Sequence, residues 1–325
     1  MERRLILLSS TGALLPWAAL AQKADKVWRI GWLQGLVPPP DGLPPEPLRK
    51  ALANLGYIEG NNVIYTGRWA GGDMARLPAL AAELVQSGVD VIAVTGWSAS
   101  KALKDATSTI PVVIVGAGDA VAAGLVSSLS KPGGNLTGLT DMSVELSAKR
   151  MELLKETFPK VSRIAVLWNV GDLGMTLRFQ EIERAAKALG VTVQAVGVRS
   201  PADFDAAFAA MGRNKPDALF MVSDMLTTTN RKRVIDFAEA RRIPAMFEFS
   251  RVVQDGGLMS YGPDQEEGLG RMAYYIDRIL KGAKPADLPM EQPTRIYFYL
   301  NQKTARSMGV KIPDAILMRT DKVIE

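Results

Sequence analysis

The following turn-rich stretch near the middle of the chain separates two halves that resemble each other: Pro132-Gly133-Gly134-Asn135-Leu136-Thr137-Gly138-Leu139-Thr140-Asp141. Four landmarks before it recur after it in the same order, at nearly constant spacing. They are an Arg-Ile-led apolar run (29–33 and 163–167), a Leu-Gly pair (55–56 and 189–190), an Asp-led apolar run (90–94 and 217–221) and an Ile-Pro-led run (110–114 and 243–247). The repetition predicts two similar lobes, with residues 132–141 as the first crossing between them and part of a hinge.

Apolar runs alternate with amphipathic segments in both halves. In the first half the pattern predicts strands at 27–33, 62–69, 89–95, 110–115 and 136–140, and helices at 48–55, 74–86, 98–106 and 119–129. In the second half it predicts strands at 164–169, 191–198, 218–222, 245–249, 258–262 and 295–300, and helices at 144–157, 174–189, 203–211, 227–241, 266–281 and 302–308.

This alternation, with short connections, is typical of parallel sheets covered by helices on both faces. The predicted fold class is therefore α/β, with two doubly wound, Rossmann-like lobes joined by a hinge. We predict an N-terminal lobe of residues 27–140 plus 263–290 and a C-terminal lobe of residues 141–262 plus 291–325.

The composition narrows the classes of function. Apolar residues make up 47% of the 325 residues, which provides a large core, and the formal charge of +5 is scattered along the chain, which argues against nucleic-acid binding. There is no cysteine and no histidine. Disulfides, thiolate or imidazole metal sites and the Ser-His-Asp triad are thereby excluded. With no recognisable catalytic or cofactor motif, we predict a binding protein without a metal or cofactor rather than an enzyme.

The N-terminus has the features of an export signal. Arg3-Arg4 precede a largely apolar segment, and Ala19-Leu20-Ala21 fits the pattern of a cleavage site. We predict a signal peptide over residues 1–21 and a mature protein that is free in the periplasm. The two arginines leave open whether export uses the general or the twin-arginine route.

Ligands of doubly wound sheets bind outside the carboxyl ends of the strands. In the first half this rule selects Gln34, Gly35, Thr95, Gly96, Trp97, Ser98, Ala117, Gly118 and Asp119. In the second half it selects Asn169, Ser223, Asp224, Met225, Phe247, Glu248 and Tyr261. Two facing lobes would bring both sets to one cleft, where a ligand touches both lobes and favours their closure.

Each of these candidates also has an ordinary structural interpretation. Asp224 and Asp119 are either helix N-caps or carboxylates that receive a ligand ammonium, and for Asp119 the cap is favoured. Residues 95–98 form either a capped turn or a helix N-terminus that binds a ligand carboxylate. Trp97 either stacks on an aromatic ligand or packs in the protein. The aromatic candidates of the second half, at 247 and 261, are weaker because such residues more often belong to a core.

Seven motifs in order resemble one known family. They lie at residues 52–63, 76–85, 106–113, 131–138, 150–155, 257–263 and 281–289. Together they are similar to the ABC-transporter substrate-binding proteins of the group that contains tryptophan- and tyrosine-binding members. The resemblance implies a type I periplasmic-binding fold with three crossings between the lobes. It also implies delivery of a ligand to a membrane permease and its ATPase. The chain departs from the family's pattern in the proline-rich loop after the first strand and at Trp97, both at the inferred cleft.

The favoured hypothesis is therefore a monomeric, extracytoplasmic solute-binding protein of an ABC importer. Its ligand would be an amino acid or an aromatic or carboxylate compound, and its partner an ABC permease in the cytoplasmic membrane. The alternative is a periplasmic sensor module that presents its ligand to a membrane receptor or kinase. A cytoplasmic α/β enzyme is the third hypothesis, and the predicted signal peptide argues against it.

Overall fold

The computed structural model describes residues 26–325, so the predicted signal peptide lies outside the described residues. The strands are β1 Trp28–Gln34, β2 Val63–Trp69, β3 Val91–Thr95, β4 Val112–Val115, β5 Leu136–Leu139, β6 Arg163–Asn169, β7 Thr192–Val198, β8 Ala218–Met221, β9 Ala245–Phe247, β10 Met259–Gly262, β11 Tyr297–Asn301 and β12 Lys322–Ile324. The α-helices are α1 Glu46–Asn54, α2 Leu77–Gln86, α3 Trp97–Ala106, α4 Leu146–Thr157, α5 Leu173–Ala188, α6 Asp203–Asn214, α7 Met225–Thr229, α8 Arg231–Ala240, α9 Ser250–Gln254, α10 Gln265–Leu280, α11 Gln302–Met308 and α12 Asp314–Leu317.

The first half forms a parallel sheet in the order β2-β1-β3-β4-β5. One face packs against α2 and α3 around Leu33, Ile92 and Val94. The other face packs against α1 and α10 around Ile30 and Trp32. Burial on both faces explains why these strands read as continuous apolar runs.

The second half repeats this order as β7-β6-β8-β9-β10 and then adds β11 and β12 at the far edge. The extra strand β11 pairs antiparallel with β10, and β12 pairs parallel with β11. The shared strand order confirms the predicted fold class of two doubly wound α/β lobes. The residue boundaries of the two lobes stay a prediction.

Three segments connect the lobes: the chain after β5, the chain between β10 and α10, and the chain that leads into β11. The first and third run side by side, because the Thr140 amide donates to the Glu291 carbonyl (2.9 Å) and the Glu291 amide donates to the Gly138 carbonyl (2.9 Å). Gly138 has φ +136°, and a Cβ there would lie 2.1 Å from the Ile114 carbonyl oxygen. Only glycine fits this close approach of β5 to β4, so the glycine-rich stretch does form the crossing.

The structure differs from the predicted elements in three places. Residues 119–129 form turns rather than a helix, because Gly124 takes a left-handed φ of +71° after one turn and Pro132 follows. The predicted helix 227–241 is divided into α7 and α8 at Asn230. The short elements α9, α12 and β12 were not predicted, since three to five residues carry little periodic signal.

Candidate functional site

One cavity of about 810 Å³ lies between the lobes, at the carboxyl ends of the strands. Eight of the residues selected from the sequence line it: Gln34, Thr95, Gly96, Trp97, Ser98, Ser223, Asp224 and Met225. The crossings, through residues 139–141, 263–265 and 291–295, and the first turns of α10 complete its wall. A cavity of this size is in the range that encloses small organic ligands.

The wall from the first lobe is built around the start of α3. Gly96 precedes this helix with φ +78°, and no side chain of residues 26–325 caps it. Backbone amides in a helix's first turn lack intrahelical acceptors and carry a partial positive charge. Beside them, Gln34 Nε2 donates to Thr95 Oγ1 (2.8 Å), and the Gly35 amide donates to Gln34 Oε1 (2.9 Å). This wall therefore presents fixed hydrogen-bond donors that suit an anionic group.

The wall from the second lobe carries Asp224, which is half-buried. Its Oδ1 accepts the Thr227 amide (2.8 Å), and Thr227 Oγ1 accepts the Asp224 amide in return (2.9 Å), which forms a capping box. Its Oδ2 accepts Asn169 Nδ2 (2.6 Å). Burial raises the pKa of the Asp224 carboxyl, and the hydrogen bonds from Thr227 and Asn169 oppose this rise. Asp224 is thus both the helix cap and a carboxylate in the cavity.

A second carboxylate, Asp172, was not selected from the sequence. It caps α5 by accepting the Met175 amide at Oδ1 (3.2 Å). Its Oδ2 accepts Ser98 Oγ (2.7 Å), which is a hydrogen bond between the two lobes. Burial, and then the charge of nearby Asp224, raise the pKa of Asp172 to about 6. Within the described chain neither aspartate forms a salt bridge.

The two lobes touch beside these carboxylates. A Cβ on Gly174 would lie 3.4 Å from Trp97 Cβ, so the start of α5 packs against the indole-bearing residue of α3. Trp97 Nε1 donates to the Ala123 carbonyl (3.1 Å). Met225 reaches the first lobe, since a Cβ on Gly96 would lie 3.4 Å from Met225 Cε. Trp97 and Asp224 therefore line the same cavity, and Trp97 also packs against the core of the first lobe.

Glu248 does not line the cavity, which corrects its selection from the sequence. Its side chain is fully buried and belongs to an ionic cluster with Arg150, Arg178 and Asp141. Glu248 accepts Arg178 Nη1 (2.8 Å) and Arg150 Nη1 (3.2 Å), and Arg178 Nη2 donates to Asp141 Oδ2 (2.8 Å). Glu248 therefore has no free oxygen for a ligand, and the cluster ties the first crossing to the second lobe.

Burial lowers the pKa of Arg150, and the Glu248 charge opposes this. Burial also acts to lower the pKa of Arg178. The charges of Asp141 and Glu248 outweigh this effect and raise the pKa above its usual value. Glu248 also accepts the Ser223 amide (2.8 Å), so the cluster holds in place the turn that carries Asp224. A buried charge that is paired and hydrogen-bonded on several sides favours one specific geometry.

Seven other sequence-selected residues lie outside the cavity lining: Gly35, Ala117, Gly118, Asp119, Asn169, Phe247 and Tyr261. Phe247 is fully buried in the second lobe's core, and Tyr261 packs edge-on against Phe298. Asp119 caps a turn by accepting the Val121 and Ala122 amides (3.1 and 2.9 Å). Ala117 is fully buried. A Cβ on Gly118 would lie 3.2 Å from Arg178 Nη2, and a Cβ on Gly35 would lie 3.0 Å from Met225 Cβ, so both glycines pack closely against these side chains. Asn169 acts indirectly, by holding Asp224.

Two residues of the site region, Asp172 and Arg150, were not selected from the sequence, although the sequence pattern around each gives a weak indication of its role. Asp172 comes three residues after the end of β6. The rule that ligands bind at the carboxyl ends of strands selects only the residues next to the strand end, so it did not select Asp172. Arg150 lies on the face of α4 that also carries buried Leu146, Met151 and Leu154, and an arginine among core positions indicates a buried ion pair. Which acids pair with it depends on contacts distant in sequence.

The family model described as ABC transporter substrate binding protein matches residues 45–324 of the chain. The chain belongs to this family. Its members are binding proteins rather than enzymes, and the resemblance drawn from the seven motifs is confirmed. Within residues 26–325 this family member has no helix that is long and apolar enough to cross a membrane.

Among its relatives is a tyrosine-binding protein of Clostridioides difficile (strain R20291), 27% identical over 263 residues, which cover 81% of this chain and 75% of the relative. A domain from Streptococcus pneumonia, solved in complex with L-Trp, superposes with a TM-score of 0.85 at 28% identity, over 92% of this chain and 100% of that one. The ligand-free, open structure of a Clostridium difficile substrate-binding protein with adhesive properties gives a TM-score of 0.64 at 26% identity, over 92% and 99%. At similar identity and coverage, this family member therefore superposes better on the ligand complex than on the open form.

Proposed function

We propose that this protein is the extracytoplasmic binding component of an ABC importer and that it closes on an amino acid in zwitterionic form. The observation that carries the proposal is that two carboxylates and a helix N-terminus line one cavity. Asp172 and Asp224 line it from the second lobe and form no salt bridge in the described chain, although the charge of Arg178 partly offsets that of Asp172, and the uncapped start of α3 lines it from the first lobe.

This arrangement matches the two charges of an amino acid. The α-ammonium would lie at Asp224 and Asp172, where it relieves the unfavourable burial of two carboxylates. The α-carboxylate would accept the amides of Trp97 and Ser98 at the positive end of α3. Ser223 and Thr140 also line the cavity, and their hydroxyl oxygens are buried without a hydrogen-bond partner among residues 26–325.

The relatives support an aromatic amino acid. One of them is a tyrosine-binding protein and another was solved in complex with L-Trp, and the cavity offers Trp97, Met175 and Met225 as apolar and polarisable contacts. We propose a monomer that delivers this ligand to a permease after export through the predicted signal peptide. The better superposition on the L-Trp complex supports closure of the lobes as the state that holds the ligand.

Calorimetric titration of the purified mature chain tests the proposal. L-tyrosine and L-tryptophan should bind and raise the melting temperature. Tryptamine lacks the carboxylate and indole-3-propionate lacks the ammonium, so each should bind at least about tenfold more weakly than L-tryptophan, since a charge-assisted hydrogen bond contributes roughly 1.5–3 kcal/mol. Equal affinities for L-tryptophan and both analogues would contradict the zwitterion site. Failure of all twenty common amino acids to bind would refute the proposed ligand class.

A further inference from the structure

The first crossing between the lobes contains a strained residue. Met142 has a left-handed φ of +52°, although it carries a side chain. Among the residues that the structure describes, two others besides glycine have such an angle, Lys215 (+46°) and Arg242 (+55°). These two lie within two residues of the ends of α6 and α8, where a left-handed residue commonly ends a helix. Met142 comes three residues after β5 and four before α4, so a helix end does not explain its conformation.

The residues just before Met142 are anchored to the first lobe. The Thr140 amide donates to the carbonyl of Glu291 on the third crossing (2.9 Å), and the Glu291 amide donates back to β5. The side chain of Asp141 lies beside the loop that follows β4, since a Cβ on Gly116 would lie 3.6 Å from Asp141 Oδ2. The chain up to Asp141 therefore follows the first lobe.

The residues just after Met142 are anchored to the second lobe. The Ser143 carbonyl accepts Arg150 Nη1 (2.9 Å) and Ser147 Oγ (2.7 Å), both on α4. The Met142 carbonyl accepts the amide of Leu146, the first residue of α4 (2.9 Å). Met142 thus lies between a stretch that follows the first lobe and a stretch that follows the second.

Contacts that span Met142 hold it in this conformation. Asp141 Oδ1 accepts the Ser143 amide (3.0 Å), and Asp141 Oδ2 accepts Nη2 of Arg178 from α5 (2.8 Å). Arg178 also touches the first lobe, since a Cβ on Gly118 would lie 3.2 Å from its Nη2. The ion pair of Asp141 and Arg178 is buried. A residue in a sparsely populated backbone conformation persists only where the surrounding structure fixes it, and here the fixing contacts join the two lobes.

From this geometry we infer that Met142 is the residue at which the first crossing bends, and that its left-handed conformation belongs to the closed arrangement of the lobes. The inference rests on the proposed function, in which the lobes close on a ligand. The structure superposes better on the L-Trp complex than on the open relative, which supports a closed arrangement as the one in which this angle occurs.

Two opposing contributions then set the equilibrium between open and closed forms. Strain at Met142 opposes closure, and the buried pair of Asp141 and Arg178 opposes opening. Glu248 keeps its ion pairs with Arg150 and Arg178 in both forms, because all three stand on the second lobe. Met142 does not line the cavity, so ligand affinity is adjusted by a residue that the ligand does not touch.

Substitutions at Met142 test the inference in both directions by calorimetry with L-tryptophan. The left-handed conformation disfavours ordinary residues by the equivalent of about a fivefold to thirtyfold change in an equilibrium constant. Met142→Gly removes this strain and should tighten binding about fivefold. Met142→Asn tolerates the conformation without glycine's additional backbone freedom and should tighten binding about threefold. Met142→Val introduces a branched side chain, which fits the conformation least, and should weaken binding about fivefold.

Arg242 supplies the matched control, because its φ of +55° is nearly that of Met142. It is exposed and precedes the amino end of β9, whereas the cavity lies at the carboxyl ends of the strands. Arg242→Gly and Arg242→Val make the same kinds of backbone change. They should alter the free energy of unfolding in chemical denaturation and leave the affinity for L-tryptophan unchanged.

Single-molecule energy transfer measures the same equilibrium without a ligand. The chain has no cysteine, so Asp105→Cys on α3 and Glu183→Cys on α5 place one fluorophore on each lobe, at exposed positions. In the ligand-free protein, Met142→Gly should raise the ratio of closed to open molecules about fivefold, and Met142→Val should lower it by a similar factor. The two Arg242 variants should leave this ratio unchanged.

Binding of L-tryptophan with the same affinity by the unmodified protein, Met142→Gly and Met142→Val would overturn the inference and leave the proposed function standing. Changes of the same size in the Arg242 variants would assign the effect to strain anywhere in the chain and would also overturn it. Failure of every amino acid to bind would refute the proposed function. The ligand-free ratio would still decide the inference, which an unchanged ratio in both Met142 variants would overturn.

Discussion

The two lobes repeat one strand order but differ at the helix that follows the matching strand. In the first lobe β3 leads through Gly96, at φ +78°, into α3, which has no side-chain cap. In the second lobe β8 leads to Asp224, at φ −128°, whose carboxylate caps α7. Glycine leaves the helix N-terminus bare and positive, whereas aspartate covers it and adds a negative charge. One topology thus supplies both halves of the proposed zwitterion site, and a single side chain at each turn decides the sign of the charge there.

The largest effect is expected at the negative turn. Asp224→Ala removes both the cap and the carboxylate, so calorimetry should show a loss of affinity for L-tryptophan of about 10- to 150-fold, the equivalent of a charged hydrogen bond of roughly 1.5–3 kcal/mol. Loss of the cap should also lower the free energy of unfolding by roughly 0.5–2 kcal/mol. Asp119→Ala is the control, since Asp119 caps a turn that does not line the cavity. Equal losses of affinity in Asp224→Ala and Asp119→Ala would contradict a specific role of the Asp224 carboxylate in binding.

The second prediction concerns the pH dependence at Asp172. Its pKa of about 6 lies above its usual value of 3.8, so the folded protein binds an additional proton between these values. In the unliganded protein, the contribution of this group to stability should therefore rise as the pH falls from about 6 to about 4. A ligand ammonium requires the ionised form, so the affinity for L-tryptophan should fall by up to about tenfold per pH unit below 6.

Asp172→Asn serves as the comparison, because an amide can still accept the Met175 N–H and donate to Ser98 Oγ. This variant should bind more weakly at pH 7 and should show a shallower decline between pH 6 and 5, because only Asp224, whose pKa burial also raises, still titrates at the ammonium. Calorimetric titrations at pH 5, 6, 7 and 8 measure both proteins. A decline of the same steepness in the variant would assign the pH dependence to another group.

The third prediction concerns the positive turn. Gly96→Ala forces a non-glycine residue into a left-handed conformation and brings its Cβ to 3.4 Å from Met225 Cε. It should cost roughly 1–2 kcal/mol of stability and, by displacing the first amides of α3, weaken L-tryptophan binding about fivefold. Gly88→Ala also places an alanine at a positive φ, +68°, with no atom within 4 Å of the added Cβ.

Chemical denaturation should show destabilisation of both glycine variants. Only Gly96→Ala should lose affinity in calorimetry. If Gly88→Ala loses as much, global strain rather than the α3 terminus explains the change.

The smallest effect is expected at Ser98, where the first turn of α3 contacts Asp172 of the second lobe. Ser98→Ala removes the hydrogen bond from Ser98 Oγ to Asp172 Oδ2, which contributes roughly 0.5–1 kcal/mol to closure, so affinity should fall about twofold to fivefold without the loss of stability expected for Gly96→Ala. Small-angle scattering at subsaturating L-tryptophan should show a larger average radius of gyration. Ser87→Ala, which removes a hydrogen bond within one lobe to the Leu84 carbonyl (2.6 Å), should leave scattering and affinity unchanged.

Many of the residues that line the cavity could be predicted from the sequence because they lie at or just after the end of a predicted strand. Strand β1 ends at Gln34, β3 ends at Thr95 and β8 ends two residues before Ser223. Gln34, residues 95–98 and residues 223–225 all line the cavity. The rule failed at β9 and β10, where it selected Phe247, Glu248 and Tyr261. Phe247 is buried in the core of the second lobe, and Glu248 is held by Arg150 and Arg178. Tyr261 packs against Phe298 of β11, the strand that extends the sheet beside β10.

The sequence by itself determined the alternation of strands and helices, the internal repeat, the glycine that permits the first crossing and the family. All of these follow from side-chain periodicity and backbone preferences within a few residues. Only the tertiary structure decided that Asp172 meets Ser98 across the cleft and that Glu248 is committed to Arg150 and Arg178. The first contact depends on how the two lobes face each other, and the second on how β9, α4 and α5 pack within the second lobe. Contacts between residues 70 or more positions apart have no local pattern in the chain.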